Sequence, residues 1–396
     1  MGNRIYIIAI IFILFLILVM AGKQLIGDFY YRMAQREGLE LNKAIGYLEK
    51  CIALDDKNAL FHFSLGRTYL AKGLNKGIKA EKRNEWIRKS IFEFHKAIEL
   101  EPCNSDYHFH LGISYGCLSC PPPIYHNMIQ QSFTRTVVLN PTEVRHLYSI
   151  GTYYLNEYQR LKHIGWTTGK IGRTYNRNYL ADLKESCQLY YRKLVNVDEE
   201  YLNSILGKWF SVSQDCVDLR SLVGDTARSR VVFARFLTSK GMWEEAKSEY
   251  IMAINLEPFN PIYYAEFANV FSIKGDFENA ITWWKKQKML NPQDEGIYLS
   301  LCDAFMRLNR FNEAVQELHE LINLSPDNVD YCVKLIRTLL VARKIDEAVE
   351  QYGKVVGMNK GFSESSYDMV YQYQRKGDYP EIVRILNEVL ASAADR

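Results

Sequence analysis

The one reactive spacing that stands out in the chain is Cys117-Leu-Ser-Cys120. Two cysteines two residues apart can hold a soft metal or cycle between dithiol and disulfide. Cys103, His108, His110 and His126 lie nearby in sequence. A structural zinc site of this type takes two such pairs, and the sequence has a single CxxC. Pro121, Pro122 and Pro123 follow the second cysteine directly, as expected of a stiffened connection between helices. The pair is therefore expected to sit in such a connection, with a thiol- or metal-responsive centre at Cys117 and Cys120 as the alternative. A second stretch, "GWTTGKIG" from Gly165, has the look of a phosphate loop. Its glycines are one residue too close, and Lys170 precedes Ile171 where Ser or Thr would be needed.

Around that stretch, residues 159–183 carry Arg160, Lys162, Lys170, Arg173 and Arg177 against Asp182 alone, interleaved with Trp166, Tyr175 and Tyr179. Such a basic insertion can meet an anionic surface, whether lipid headgroup, acidic protein or glycan. The alternative is a solvated loop or a helix extension. Residues 74–86 form a similar insertion. No HExxH, nucleophile elbow or Gly-rich dinucleotide turn occurs, so neither enzyme chemistry nor a cofactor is expected. The other cysteines read as packing: Cys51, Cys187 and Cys302 stand where small residues belong.

Charge divides the 396-residue chain unevenly. Its net charge of +3 argues against nucleic acid as a partner. Residues 1–226 hold 28 Lys and Arg against 22 Asp and Glu, while residues 227–396 hold 21 against 24. Ile5 to Gly22 is an 18-residue run without a charge, bracketed by Arg4 and Lys23. As a helix it spans about 27 Å, close to a bilayer core. It exceeds the ~7–15 apolar residues of a cleaved signal peptide. An uncleaved anchor is expected, with the membrane met through residues 5–22. Lys23, Arg32 and Arg36 after the span favour a cytoplasmic domain; a short basic tail at Arg4 also suits an extracytoplasmic one. Gly2 lacks the Ser or Thr four residues on that myristoylation needs, Tyr6 standing there instead.

The elements that must carry all of this repeat. Pro258, Pro292 and Pro326 are 34 residues apart, as are Ala246, Ala280, Ala314 and Ala348. Tyr250, Trp284, Leu318 and Tyr352 keep the same period, and Gly241, Gly275 and Gly377 fall at equivalent turns. Within 261–294, Tyr264, Phe267, Ala268 and Phe271 line one face of a first helix. Ala280, Trp284 and Gln287 line a second helix, which Pro292 ends. Neither helix can bury its face alone, so the units must stack.

On these residues the chain resembles the tetratricopeptide repeat family. Its helix-pair pattern is matched by Arg230, Phe233, Ala234, Leu237, Ala246, Tyr250, Ala253 and Pro258. Five regular units run 227–260, 261–294, 295–328, 329–362 and 363–396; irregular ones with insertions fill 25–226, and residues 1–24 form the anchor. The resemblance implies an all-α fold, a right-handed superhelical solenoid preceded by one transmembrane helix. It also implies a scaffold that binds protein partners along the concave face of each first helix. In the units starting at 59, 105 and 144 that face would present Phe63, Arg67, Leu70, Phe109, Ile113, Arg145, Tyr148 and Thr152. Arg235, Glu266, Asn269, Asp303 and Arg337 would take the equivalent places downstream. The Lys and Asn clamp by which some members hold a C-terminal carboxylate is absent, Phe63 and Arg67, Phe109 and Ile113, or Val231 and Arg235 occupying its positions.

The layout also resembles a bacterial lipopolysaccharide-assembly regulator with an anchor and repeats, although that family's paired-CxxC module is missing. Together these resemblances imply a single-pass protein of a bacterial inner membrane, its soluble domain extracytoplasmic with a cytoplasmic one as the alternative, that serves assembly of an envelope complex, with a glycan or lipopolysaccharide assembly factor as the alternative. The sequence stops at the last second helix. Ile382, Ile385, Leu386, Val389 and Leu390 are therefore expected to form a partly uncovered stripe able to support weak self-association.

Overall fold

The computed structural model describes residues 2–118, 123–168, 177–358 and 364–394, and among them every regular element is helical. The chain separates into two units, residues 1–222 and 223–396. The first contains α1 (Gly2–Ala34), α2 (Leu41–Leu54), α3 (Ala59–Gly73), α4 (Ala80–Leu100), α5 (Ser105–Gly116), α6 (Pro123–Leu139), α7 (Val144–Thr168), α8 (Arg177–Val197), α9 (Leu202–Phe210) and α10 (Cys216–Arg220). The second contains α11 (Ala227–Ser239), α12 (Trp243–Leu256), α13 (Pro261–Ile273), α14 (Phe277–Leu290), α15 (Glu295–Arg307), α16 (Phe311–Leu324), α17 (Val329–Val341), α18 (Ile345–Met358), α19 (Glu364–Lys376) and α20 (Tyr379–Ala394).

Helix starts in the second unit are fixed by side-chain caps. Thr226, Asn260, Asp294 and Asn328, each 34 residues after the last, accept from amides of the first turn that follows. Asn58 and Asn104 do the same for α3 and α5. The turns inside each pair are equally regular. Gly241, Gly275, Asn309, Arg343 and Gly377 all take a left-handed φ between 57° and 79°. The residue after each donates its amide back into the preceding helix: Met242 to Leu237, Asp276 to Phe271, Arg310 to Phe305, Lys344 to Leu339 and Asp378 to Tyr373. The glycine period visible in the sequence is thus a five-member backbone series, continued by Asn309 and Arg343 without glycine.

Packing follows from size. In the first unit a glycine on α3, α5 and α7 meets a ring on the partner helix. A Cβ on Gly66 would stand 2.8 Å from the Phe94 ring, on Gly112 2.6 Å from Phe133, and on Gly151 2.5 Å from Tyr191. Ala234, Ala268 and Cys302 occupy the matching place in the second unit and are fully buried. Cys51 and Cys187 are buried as well, their thiols donating to the Gly27 and Gly151 carbonyls.

The structure bears on three expectations. α1 runs unbroken through residue 24 and continues as the first helix of the first repeat. Gly27 lies against Phe61, and the Tyr31 ring lies 5.6 Å from the same residue. The insertion at 74–86 turns to helix at Ala80, where α4 starts; of the one at 159–183, the described residues carry α7 to Thr168 and begin α8 at Arg177, as the helix-extension alternative has it. The α20 stripe is not uncovered. Ile382 and Leu386 are fully buried, Ile385 and Leu390 nearly so, and Val389 packs on the same core, because α20 lies against α17, α18 and α19. That stripe offers no surface for self-association.

A non-glycine residue in the left-handed region is strained by about 1–2 kcal/mol, offset in part by the greater freedom glycine has when unfolded. Arg343→Gly is therefore expected to raise stability by about 0.5–1 kcal/mol, and Gly275→Ala to lower it by a similar amount. Chemical denaturation of the two variants measures both signs.

Candidate partner-binding surface

α3, α5 and α7 supply the surface expected from the sequence. They are joined by contacts between rings. Phe63 of α3 lies 4.7 Å from Tyr107 and 5.2 Å from His110 of α5. Phe109 of α5 stacks on His146 of α7 at 4.6 Å, and the His146 Nε2 donates to Asp106 Oδ1 at 2.8 Å. At the far side, the Tyr148 hydroxyl accepts from Lys208, and the Tyr148 ring lies 5.7 Å from Tyr201.

These contacts sort the expected residues. Phe63 is a correction: at 8% exposure it belongs to the packing between repeats, and Leu70 is buried with Ile87 and Leu118. Arg67 is exposed, its guanidinium 5.7 Å from the Phe63 ring centre. Phe109, Ile113, Tyr148 and Thr152 are half-buried. Ile113 leans on the Leu70 cluster, and the Thr152 hydroxyl is 3.0 Å from that of Tyr191. Arg145 is 83% exposed and pairs with Glu143 at 2.9 Å. A guanidinium, an aliphatic side chain and two aromatic edges thus remain accessible on one set of neighbouring helices.

His110 is the titratable group inside this cluster of rings. It stands among the rings of Phe63, Phe94 and Phe109. Burial pushes its pKa down to about 4, and the Arg67 charge pushes the same way. The imidazole is therefore neutral at physiological pH. His62, on the other side of α3, behaves oppositely. Its Nδ1 is 2.7 Å from Glu93 Oε2, which raises its pKa, and its Nε2 is 3.0 Å from the Asp56 carbonyl. His108 takes the equivalent place in the next unit, 3.0 Å from the Pro102 carbonyl, as the Tyr264 and Tyr298 hydroxyls do with Pro258 and Pro292. Periodicity does not single out His110 and His146. The signal for the second was a charge one: Asp106 and His146 begin adjacent first helices.

The remaining expected residues scatter. Lys162 donates to the Val212 carbonyl at 2.8 Å, so it ties α7 to the chain after α9. Lys170 and Arg173 lie outside the described residues, and Arg177 begins α8. Cys117 follows α5 and packs with Leu70, Ile87 and Leu118; burial raises its thiol pKa, which favours the protonated form over a reactive thiolate. Cys120 lies outside the described residues, and among those described no three His, Cys, Asp or Glu side chains converge as a metal site would require. In the second unit the charges expected on this face have partners within the unit, although Arg235 and Asp303 stay exposed. Arg235 pairs with Glu266, Asp303 with Lys334, and Arg337 donates to the Leu390 carbonyl.

No known family model matches the chain. The TPR repeat-containing protein YpiA of Bacillus subtilis is 23% identical over 157 residues, which is 39% of this chain and 37% of YpiA. The match thus spans little more than a third of that relative. Among solved structures, one of the MamA protein aligns with 42% of this chain and 91% of its own at 22% identity, with a TM-score of 0.33. The first TPR of Spaghetti (RPAP3), bound to an HSP90 peptide, aligns with 30% of this chain and 94% of its own at 19% identity, with a TM-score of 0.27. The stacked 34-residue helix pairs and the YpiA match agree on a tetratricopeptide-repeat-like fold.

A histidine held neutral binds fewer protons when folded than when unfolded between its folded pKa of about 4 and the ordinary value of about 6.5. The stability it contributes is present above about pH 6.5 and is lost as pH falls toward 4. His110→Asn is expected to flatten the acid-side fall in melting temperature over that interval. A thermal-melt series against pH, run on both chains, checks it.

Proposed function

We propose that this chain is a membrane-anchored adaptor that holds protein partners against the first helices of its N-terminal repeats. The observation that carries the reading is the arrangement of Arg67, Phe109, Ile113 and Tyr148 on α3, α5 and α7. The two aromatics are fixed by stacking and by the Lys208 hydrogen bond, so little side-chain freedom is left to lose on binding. Arginine and tyrosine are the types enriched at binding hot spots. Repeat arrays of this kind offer such a surface on a rigid scaffold, and the name of the YpiA relative records the same repeats.

The anchor half of the reading rests on α1. Within its segment Phe12–Ala34 an 18-residue window is apolar enough to cross a membrane, and 6% of that window is buried. Nine consecutive apolar side chains, Phe12 to Met20, face away from the protein. Such a surface is covered by lipid or by another chain rather than left in water.

The test is a photoreactive amino acid placed at Ile113 or Tyr148 of the full chain in native membranes. Irradiation is expected to give a covalent protein adduct from either position, and none from Lys354 in α18. Arg67→Glu in the same chain is expected to weaken capture by about 1–4 kcal/mol if Arg67 is a hot spot. Adducts from Lys354 alone, or capture indifferent to Arg67→Glu, would move the binding surface elsewhere.

A further inference from the structure

The turn between α3 and α4 carries a charge pattern that the partner-binding face does not use. From Lys72 to Lys89 the chain holds seven basic residues and two acidic ones, Glu81 and Glu85. Lys76, Lys79, Lys82 and Arg88 are exposed, and no ion pair with a described residue engages them. Lys79, Lys82, Trp86 and Lys89 share one side of α4, spaced three, four and three residues apart, a stripe about 15 Å long. At its centre the Trp86 ring is stacked on Tyr69 at 5.6 Å. The Lys72 ammonium lies 3.6 Å from the Trp86 ring centre and that of Lys89 lies 4.5 Å from it. Burial lowers the pKa of Lys72, and the charges of Lys82 and Lys89 lower it further. Like charges are crowded around one indole, relieved by the Glu85 pair to Lys89 and by the hydrogen bond from Lys72 to Asn42.

The direction of the helices says what this stripe faces. α1 and α2 run antiparallel, with Gly27 beside Cys51 and Tyr30 beside Tyr47. α2 and α3 are also antiparallel, Glu49 meeting Tyr69 and Asn42 meeting Lys72. α3 therefore runs parallel to α1, away from the apolar segment. Gly27 is level with Phe61, and Gly73 ends α3. Counting along the two helices from Gly22, the end of α3 lies about 25 Å beyond the apolar run at 1.5 Å per residue. That is roughly three screening lengths at physiological salt, so headgroups around α1 are out of reach of the stripe. The opposite end of the same repeats, level with the start of α3, carries Asp55, Asp56 and Glu101 against Lys57.

We propose that the lysine stripe of α4, capped by Lys72 and centred on Trp86, docks an acidic polypeptide segment on the side of the first unit that points away from the membrane. The orientation rests on the anchor reading above; the docking does not. An extended stripe fits a linear ligand rather than one compact anion. Glu81 and Glu85 within it oppose the continuous charge of a nucleic acid, and the Trp86 ring, covered by Tyr69, Lys72 and Lys89, holds two of the ammonium groups in place.

The full chain in lipid nanodiscs, titrated with a fluorescein-labelled Glu-rich peptide, tests this by fluorescence anisotropy. Binding is expected to weaken with salt, to fall about tenfold or more in the exposed-site variant Lys79→Glu with Lys82→Glu, and to tighten about twofold in Glu81→Gln. Lys57→Glu, at the acidic end, is expected to leave it unchanged, and affinity is expected to be equal in neutral and anionic discs. Undiminished binding in the double variant overturns the proposal. So does displacement of the peptide more readily by an oligothymidylate of equal charge, or by inorganic phosphate, than by unlabelled peptide. Weaker binding in anionic discs overturns the orientation. Failure of the anchor reading is read separately, as elution of the chain without discs, and the titration of that free chain still decides the docking.

Discussion

The structure depends on a short approach between two helices, made where a residue with little or no side chain faces a large one. Gly66, Gly112 and Gly151 each accept a ring from the partner helix so closely that no Cβ would fit. That contact fixes how near the helices of a pair lie, and with it the angle at which the next pair can be laid on. The rings involved, Phe94, Phe133 and Tyr191, are fully buried, so the same side chains also supply a large part of the apolar area that stabilises each repeat. Without the small partner the ring would be forced out of place, and the ladder of Phe63, His110, Phe109 and His146 above it would lose its spacing.

Much of this was legible because proteins of this build repeat. The 34-residue spacing of Pro258, Pro292 and Pro326 marks helix ends for a physical reason, and the small Ala280 one turn before Trp284 on the same helix announces close packing. Backbone conformation was only partly legible. Gly241, Gly275 and Gly377 declare the left-handed turn, but Arg343 adopts it under the constraint of the turns around it, and nothing in an arginine signals that. The insertions left a choice between loop and helix extension. The α4 segment from Ala80 is rich in good helix formers and extends the helix.

The candidate surface was harder to see, because position in a repeat gives direction but not exposure. Phe63 points along the expected face and is still buried, since Tyr107 and His110 of the next helix lie over it. Arg67, one turn later, reaches past the same ring into solvent. The second unit shows the opposite outcome from a similar pattern: Arg235 and Asp303 find partners on the following helix, Glu266 and Lys334, and the face closes on itself electrostatically. Whether a side chain on this face stands alone or in a pair is thus set by the neighbouring helix, a property of the fold rather than of any one residue.

The claim that the ring-on-glycine contact governs the repeats is tested most directly by a double-mutant cycle at Gly112 and Phe133, followed by hydrogen exchange of the α5 and α6 amides in the full chain. Gly112→Ala alone is expected to cost about 1–3 kcal/mol of local stability. Adding Phe133→Leu is expected to return part of that loss, with a coupling of about 1 kcal/mol or more between the sites. A Gly112→Ala chain that exchanges like the parent, or losses at the two sites that simply add, would contradict the account.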